Sequence, residues 1–226
     1  MKKLIILCSA VLGSLLFCGC LPSSAPYEDF YSRSFVLRYC QVSDISIERR
    51  YYSEDDPDYN LGYFIRVVSD KLYRANRNGE EKQVYDALCE KYNDVTYNRK
   101  VRYSYDEYYP PRCSCFFTDM EIWSTADWDA GHPAGTPLDD IVRFKSDTPW
   151  PYIRSGYTQR YSDKKRGEYY PVYCLVSELT ADDMTLLPDS FFILFTSLDL
   201  QHTIRVRLTD DAGNVYEAGI DVDFSL

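Results

Sequence analysis

The C-terminal segment most tightly constrains what this chain can fold into. His202, Ile204, Val206 and Leu208 alternate with Thr203, Arg205, Arg207 and Thr209. After Asp210-Asp211-Ala212-Gly213-Asn214, Tyr216, Ala218, Ile220, Val222 and Phe224 alternate with Glu217, Gly219, Asp221 and Asp223. Successive side chains of a strand point to opposite faces, so each run has one apolar and one polar face. Two such runs around a Gly-containing turn predict an antiparallel hairpin with one buried face. On the polar face Arg205 and Arg207 are expected to meet Asp221 and Asp223, a cross-strand pairing that helps set register. A hairpin buried on one side needs a second layer to cover it.

The rest of the chain supplies that layer as further short strands. Residues 34–42 place Phe35, Leu37 and Tyr39 on one face, and 44–52 continue or pair with them. Residues 61–69, 115–124, 141–146, 168–176 and 191–195 are dense in β-formers. Residues 80–92 are the best helix, because Val84, Tyr85, Leu88, Cys89 and Tyr92 recur at helical spacing. Thr180-Ala181-Asp182-Asp183 opens a second short helix ending before Pro188. Glu54 to Asp58 reads as a solvated acidic loop. About seven short strands without βαβ alternation predict an all-β, minor-α fold. The expected architecture is an antiparallel, immunoglobulin-like β-sandwich with one or two short helices in its connections.

The N-terminus carries an address. Lys2 and Lys3 precede an apolar run from Leu4 to Phe17. The run is too short to cross a bilayer, which takes roughly 20 residues, and suits a signal-peptide core. It closes on Gly19-Cys20, which resembles a bacterial lipobox in which Cys20 is lipidated and becomes the first mature residue. The expected organisation is a signal peptide at 1–19, the lipidated Cys20 and a Pro/Ser tether at 20–33, and one β-sandwich domain at 34–226. Loss of residues 1–19 removes two lysines and no acid. The mature chain then has 23 Lys+Arg against 35 Asp+Glu, a formal charge of −12. Such a domain stands off an anionic membrane on its tether. The same acidic balance argues against nucleic acid as a partner.

Five cysteines follow Cys20, namely Cys40, Cys89, Cys113, Cys115 and Cys174. Export permits disulfides, but the odd number leaves one free or paired between chains. Cys113-Ser114-Cys115 lacks a second pair for a metal site, and a structural role is expected.

The Gly/Pro-rich stretch from Ala126 to Asp140 is expected to be an ordered loop, pinned by a buried Trp128 and by Thr136 capping the turn that starts at Pro137. Around it lie the candidate site residues. Trp123, Trp128, Trp150, Tyr152 and Tyr157 are either core or a ring platform on which sugars stack. Asp127, Asp129, Asp139 and Asp140 are a weak Ca²⁺ candidate without an EF-hand pattern. Asp127 and Asp129 also have the spacing of a glycosidase carboxylate pair. The two histidines, His132 and His202, are read as loop-holding and strand residues. No phosphate-loop, dinucleotide or Gly-x-Ser-x-Gly motif occurs, and no cofactor is expected.

The lipobox start, the segment Trp128-Asp129-Ala130-Gly131-His132-Pro133-Ala134-Gly135-Thr136-Pro137-Leu138-Asp139-Asp140, the following Tyr152-Ile153-Arg154-Ser155-Gly156-Tyr157 and the His202 hairpin together resemble an uncharacterised lipoprotein family of gut Bacteroidetes. The resemblance implies an all-β envelope lipoprotein and carries over no catalytic residue. Leu21 after Cys20 resembles an outer-membrane rather than an inner-membrane signal. The expected function is that of a lipid-anchored, non-enzymatic binding module of the cell envelope, with a glycan or an envelope protein as partner. The alternatives are a carboxylate-dependent glycan hydrolase and a structural envelope protein whose Tyr-rich face packs a partner.

Overall fold

A computed structural model describes residues 30–49, 62–101, 110–195 and 201–223. The leader, Cys20 and the Glu54–Asp58 loop lie outside these residues, as does the side chain of His202. The elements run β1 (Phe30–Ser32), β2 (Arg38–Cys40), β3 (Asp44–Arg49), β4 (Gly62–Val68), β5 (Leu72–Arg74), α1 (Glu80–Lys91), β6 (Arg99–Val101), β7 (Arg112–Cys113) and β8 (Phe117–Ser124). There follow β9 (Arg143–Thr148), α2 (Trp150–Arg154), β10 (Tyr170–Leu175), a 3₁₀ turn (Val176–Glu178), β11 (Ser190–Leu194), β12 (Gln201–Asp210) and β13 (Val215–Asp223).

The fold is mostly β and sandwich-like. One layer is an antiparallel five-stranded sheet ordered β10-β9-β11-β4-β3, and the other is the three-stranded sheet β13-β12-β8. Their inner faces share one core. Ile45, Ile65, Phe144, Phe191 and Ile193 come from the first sheet, and Phe117, Ile122, Ile204, Val206 and Leu208 from the second. Burial of their apolar area is what holds the layers together, at roughly 25 cal/mol per Å². The β12–β13 hairpin forms with the expected buried face. Its turn is fixed by Asp210, whose carboxylate accepts the Ala212 and Asn214 N–H groups and the Tyr216 hydroxyl. Burial acts to raise this carboxyl, but those donors and the Asn214 amide hold it below the usual range.

Register corrects the expected charge pairing on the outer face. Arg205 lies opposite Gly219, Arg207 opposite Glu217 and Thr203 opposite Asp221. Arg207 therefore bridges Glu121 of β8 and Glu217 of β13, at 2.7 and 3.3 Å. Arg205 lies across Gly219, where an added Cβ would stand 2.8 Å from the arginine Cδ.

A second cluster, rich in aromatic rings, sits beside the sandwich. Helix α1 turns Tyr85 and Cys89 inward, with Tyr92 just beyond its end, against Tyr39, Tyr152 and Tyr157, while Val84 stays exposed. A small sheet ordered β5-β2-β7 borders this cluster, and within it β2 and β7 run parallel, an exception to the expected antiparallel pattern. Strand β1 pairs with β6, so the folded chain reaches back to Phe30, into residues expected to be tether. The strand expected over 34–42 shrinks to Arg38–Cys40. The second expected helix is a set of turns over Ala181–Leu186, and a short helix forms instead at Trp150–Arg154. There Pro151 occupies the first helical turn, where its missing N–H breaks no helical bond.

The described cysteines are free thiols. Cys40 and Cys113 are register partners across β2 and β7, and each thiol donates to a backbone carbonyl, of Arg112 and Pro188 respectively. No helix among the described residues is long and apolar enough to cross a membrane.

Trp128 is 3% exposed and packs on Phe195, with ring centroids 5.7 Å apart. Trp128→Ala is expected to cost about 3–5 kcal/mol, the range for truncating a buried large aromatic. Urea unfolding of the purified protein measures this, and an unchanged midpoint would contradict the packing role.

Candidate functional site

Asp94 holds one wall of the site, Phe35 and Val36, in place. It follows the left-handed Asn93 at the end of α1 and is fully buried. Its carboxylate accepts the backbone N–H groups of Phe35 and Val36, at 2.7 and 2.9 Å, and the Tyr157 hydroxyl at 2.8 Å. Tyr85 donates its hydroxyl to the Val36 carbonyl at 2.6 Å. Side chains thus replace a strand ladder in shaping residues 34–36, which satisfies buried backbone groups that would otherwise be unpaired. This is why the strand expected there is short.

Arg112 builds the floor. It is 2% exposed. One guanidinium nitrogen donates to the backbone carbonyls of Asp147 and Leu186, and the other meets the Asp147 carboxylate at 2.8 Å. The guanidinium carbon stands 4.7 Å from the centroid of the Tyr169 ring. The Arg112 Nε is buried with no hydrogen-bond partner among the described residues.

Residues 160–169 form the third wall. Gly167 backs onto the Ser162 carbonyl so closely that a Cβ would lie 1.8 Å from that oxygen. Arg166 is held in the left-handed region at φ 67°, a conformation that is strained for a side-chain-bearing residue. The loop is closed by backbone bonds from Tyr161 to Gly167 and from Gly167 to Lys164. Arg166 then reaches Asp147 at 3.2 Å, and Arg160 reaches Glu168 at 3.0 Å.

These three walls and the end of β6 enclose a cavity of about 400 Å³. Arg38, Lys100, Arg112, Arg160, Lys165 and Arg166 line it, and Glu168 is the one acidic residue among the described lining. The chain as a whole carries a net charge of −10. Cationic side chains from four segments thus meet in the described lining of this cavity. Phe35, Tyr97 and Tyr169 add ring surfaces to the lining. Phe35 packs edge-on to Tyr97 and Tyr152.

The residues singled out in the sequence are placed elsewhere. Trp128, Tyr152 and Tyr157 are buried in the two cores and offer no ring face to a ligand. Trp123 is half-buried on β8 with the Arg207 guanidinium 5.0 Å from its centroid. Trp150 is half-buried and donates its indole N–H to Asp182 at 2.9 Å. Trp150, Tyr152 and Tyr157 meet in the aromatic cluster, whereas Trp128 lies in the sandwich core and Trp123 on β8, so the five rings form no common platform.

The Ala126–Asp140 loop closes on itself. Asp127 accepts the Ala134 N–H, and Asp129 accepts the Gly131 and His132 N–H groups. The His132 ring lies between Asp129 and Asp140, at 2.8 and 3.0 Å. Both ring nitrogens donate to carboxylates only when the imidazole is protonated. Hydrogen bonding to Asp129, then Asp140, accordingly raises the His132 pKa, while Asp129 is held low by His132. Thr136 does not cap the following turn as expected. Its hydroxyl donates back to the Pro133 carbonyl, and the loop is instead laid along β8 by Gly135 to Ser124 and Leu138 to Ile122 bonds. Among the described residues no group of three or more acidic, His or Cys side chains converges to hold a metal. Asp127, Asp129 and Asp140 serve instead as acceptors within the loop.

Sequence reading passed over the cavity. Lys164-Lys165-Arg166 is a visible basic run in an acidic chain, but its partners Arg38, Lys100 and Arg112 come from three other segments. Comparison of the chain with protein-family models, curated proteins and solved structures finds no match.

Two pH effects are expected. Burial raises the Asp94 carboxyl to about 6, against the lowering effect of its three donors. The folded state then keeps a proton that the unfolded chain releases near 4. The contribution is fully present below pH 4 and is lost as pH rises through 6, on the order of 3 kcal/mol in all. Stability against urea, followed from pH 4 to 7, measures it, and Asp94→Asn is expected to flatten that dependence. His132 gives a second effect of the same sign, because its pKa too is raised on folding. His132→Gln is expected to lower the melting temperature at pH 6 and to matter less at pH 9. Equal losses at the two values would show that the clamp does not depend on charge.

Proposed function

We propose that this protein is a lipid-anchored lipoprotein of the bacterial cell envelope whose β-domain acts as a non-enzymatic binding module. The observation that carries the binding reading is the cavity built over buried Arg112. A guanidinium withdrawn from water is expensive to maintain, and this one belongs to a residue that lines a ligand-sized space.

The anchor reading rests on the sequence. Lys2-Lys3, the apolar run and Gly19-Cys20 occur in the order of a lipoprotein signal. Several acyl chains on Cys20 would give stable attachment, at about 0.8 kcal/mol per buried CH₂. Leu21 favours the outer membrane. These features, with the Trp128–Asp140 segment and the C-terminal hairpin, support membership of the uncharacterised gut Bacteroidetes lipoprotein family. The first described strand begins at Phe30, and the Pro/Ser-containing residues after Cys20 would space an acidic domain from anionic headgroups.

Detergent phase partitioning tests the anchor. The wild-type protein is expected in the detergent phase and Cys20→Ala in the aqueous phase. An unmodified Cys20 in the mass spectrum of membrane-derived wild type would overturn the lipoprotein reading.

A further inference from the structure

We infer that Cys40 and Cys113 form a modification site, the two thiols that an oxidising protein disulfide of the cell envelope joins into one disulfide as this chain folds. The inference rests on the export half of the proposed function and is independent of what the cavity binds.

Backbone geometry brings the two cysteines together. Strand β2 ends at Cys40 and β7 at Cys113, and the strands run parallel with Tyr39 opposite Arg112 and Cys40 opposite Cys113. The Ser114 N–H donates to the Cys40 carbonyl at 2.9 Å, which fixes that register. Neighbouring strands stand about 4.8 Å apart, and the Cα atoms of disulfide-bonded residues lie about 4.4–6.8 Å apart. Register partners also send their side chains to one face of a sheet. Both of these enter the sandwich core, at 2% and 0% exposure. The two thiols are in contact, since hydrogen bonding with Cys40 is the largest cause raising the Cys113 pKa, ahead of burial. Each thiol also donates to a backbone carbonyl at 3.6 Å. A thiol is a weak donor, so little is lost when those protons leave.

The other three cysteines of the mature chain face other neighbours. Cys89 lies on α1 in the aromatic cluster beside Ser34 and Tyr85. Cys115 is turned toward Asp210, Asp211 and Lys91. Cys174 on β10 lies among Asp183, Glu178 and Arg143. An odd set of five is therefore resolved as one bridge and three thiols.

The small sheet is where a covalent link has most to add. The β2–β7 ladder is only two register pairs long, and parallel pairing is slightly weaker per residue than antiparallel. Roughly 70 residues of chain separate its two strands, and a disulfide constrains the unfolded chain more as the closed loop lengthens. The bond would also fix Arg38 and Arg112, which adjoin the two cysteines in sequence and line the cavity.

The exchange balances in two steps. One thiolate of this chain attacks the oxidant's disulfide, giving a mixed disulfide and releasing one oxidant thiolate. The second thiolate attacks that mixed bond, so the Cys40 Sγ–Cys113 Sγ bond forms and the oxidant leaves as a dithiol. Two protons and two electrons pass from the chain to the oxidant. Both sulfurs are withdrawn from solvent once the core closes, so exchange takes place before closure and the finished bond is shielded from reductants.

Thiol mapping tests the inference on the full chain from two sources. One sample is purified from membranes under N-ethylmaleimide. The other is unfolded in reductant, refolded in detergent with reduced and oxidised glutathione, and then blocked. After denaturation in the same reagent, three of the five thiols beyond Cys20 are expected to be alkylated in each sample, and all five after reduction. Tryptic digestion is expected to yield peptide 39–49 linked to peptide 113–143. The second peptide also carries Cys115, so Cys115→Ser is expected to keep the link and Cys113→Ser to abolish it. Fragmentation between residues 113 and 115 makes the same assignment in the wild-type chain if a variant fails to fold. Reductant is expected to lower the wild-type melting temperature by on the order of 10 °C and to leave the Cys40→Ala/Cys113→Ala double variant unchanged.

Free Cys40 and Cys113 in membrane-derived protein whose Cys20 carries lipid overturn the inference and leave the lipoprotein reading standing. A bond through Cys89, Cys115 or Cys174 to either residue overturns it equally. If Cys20 is unmodified, the lipoprotein reading fails, and the refolded sample decides the pairing: a Cys40–Cys113 link upholds it, and any other pairing or none overturns it.

Discussion

The ion pair between Arg112 and Asp147 is the interaction on which the architecture around the cavity depends. A guanidinium that is 2% exposed has given up almost all of its hydration. That loss is offset only if its donors find partners in good geometry. Asp147 of β9 supplies a carboxylate and a carbonyl, and Leu186, which is itself left-handed at φ 56°, supplies another carbonyl. One side chain thereby ties β7 of the small sheet to β9 of the sandwich and to the turn before β11. The same Asp147 carboxylate receives Arg166, so the 160–169 loop is fastened to the same point.

This arrangement explains why two cores coexist. The sandwich core is mainly aliphatic and Phe-rich and is held chiefly by burial. The second cluster is rich in tyrosines, whose hydroxyls usually find partners when buried, although the Tyr39 hydroxyl has none among the described residues. Tyr85 and Tyr157 reach Val36 and Asp94, and Tyr92 reaches the Ser114 carbonyl at 3.1 Å. A buried carboxylate such as Asp94 is tolerable there because it accepts from two backbone amides and a phenol. The polar network is what allows an irregular segment, Ser34–Val36, to be ordered without a strand partner of its own.

Charge is distributed unevenly over the molecule. The outer face of the β12–β13 hairpin neutralises its arginine locally between Glu121 and Glu217, and the Ala126–Asp140 loop neutralises its acids with His132 and backbone amides. Neither surface leaves much unbalanced charge in one place. At the cavity, cations from four segments converge in the described lining.

The period-two alternation of residues 202–224 determined the hairpin, and the helical spacing of Tyr85, Leu88, Cys89 and Tyr92 determined α1. Both patterns repeat within one element, so they are legible without knowing what the element packs against. The mostly-β class followed from the same local signals. Register was not legible, because sliding one strand by two residues preserves the alternation, and only the packing set Arg207 rather than Arg205 against the acids. The burial of Trp128 was expected from its Gly/Pro-rich loop, but the small sheet with its parallel β2–β7 pair and the Thr136 bond to Pro133 were settled by tertiary contacts. The cavity belongs wholly to the tertiary structure. Arg38, Lys100, Arg112 and Arg166 lie far apart along the chain, and nothing in the periodicity around any of them marks it as a neighbour of the others. Only the folded chain brings them together, because only there does the Asp147 carboxylate compensate a buried Arg112.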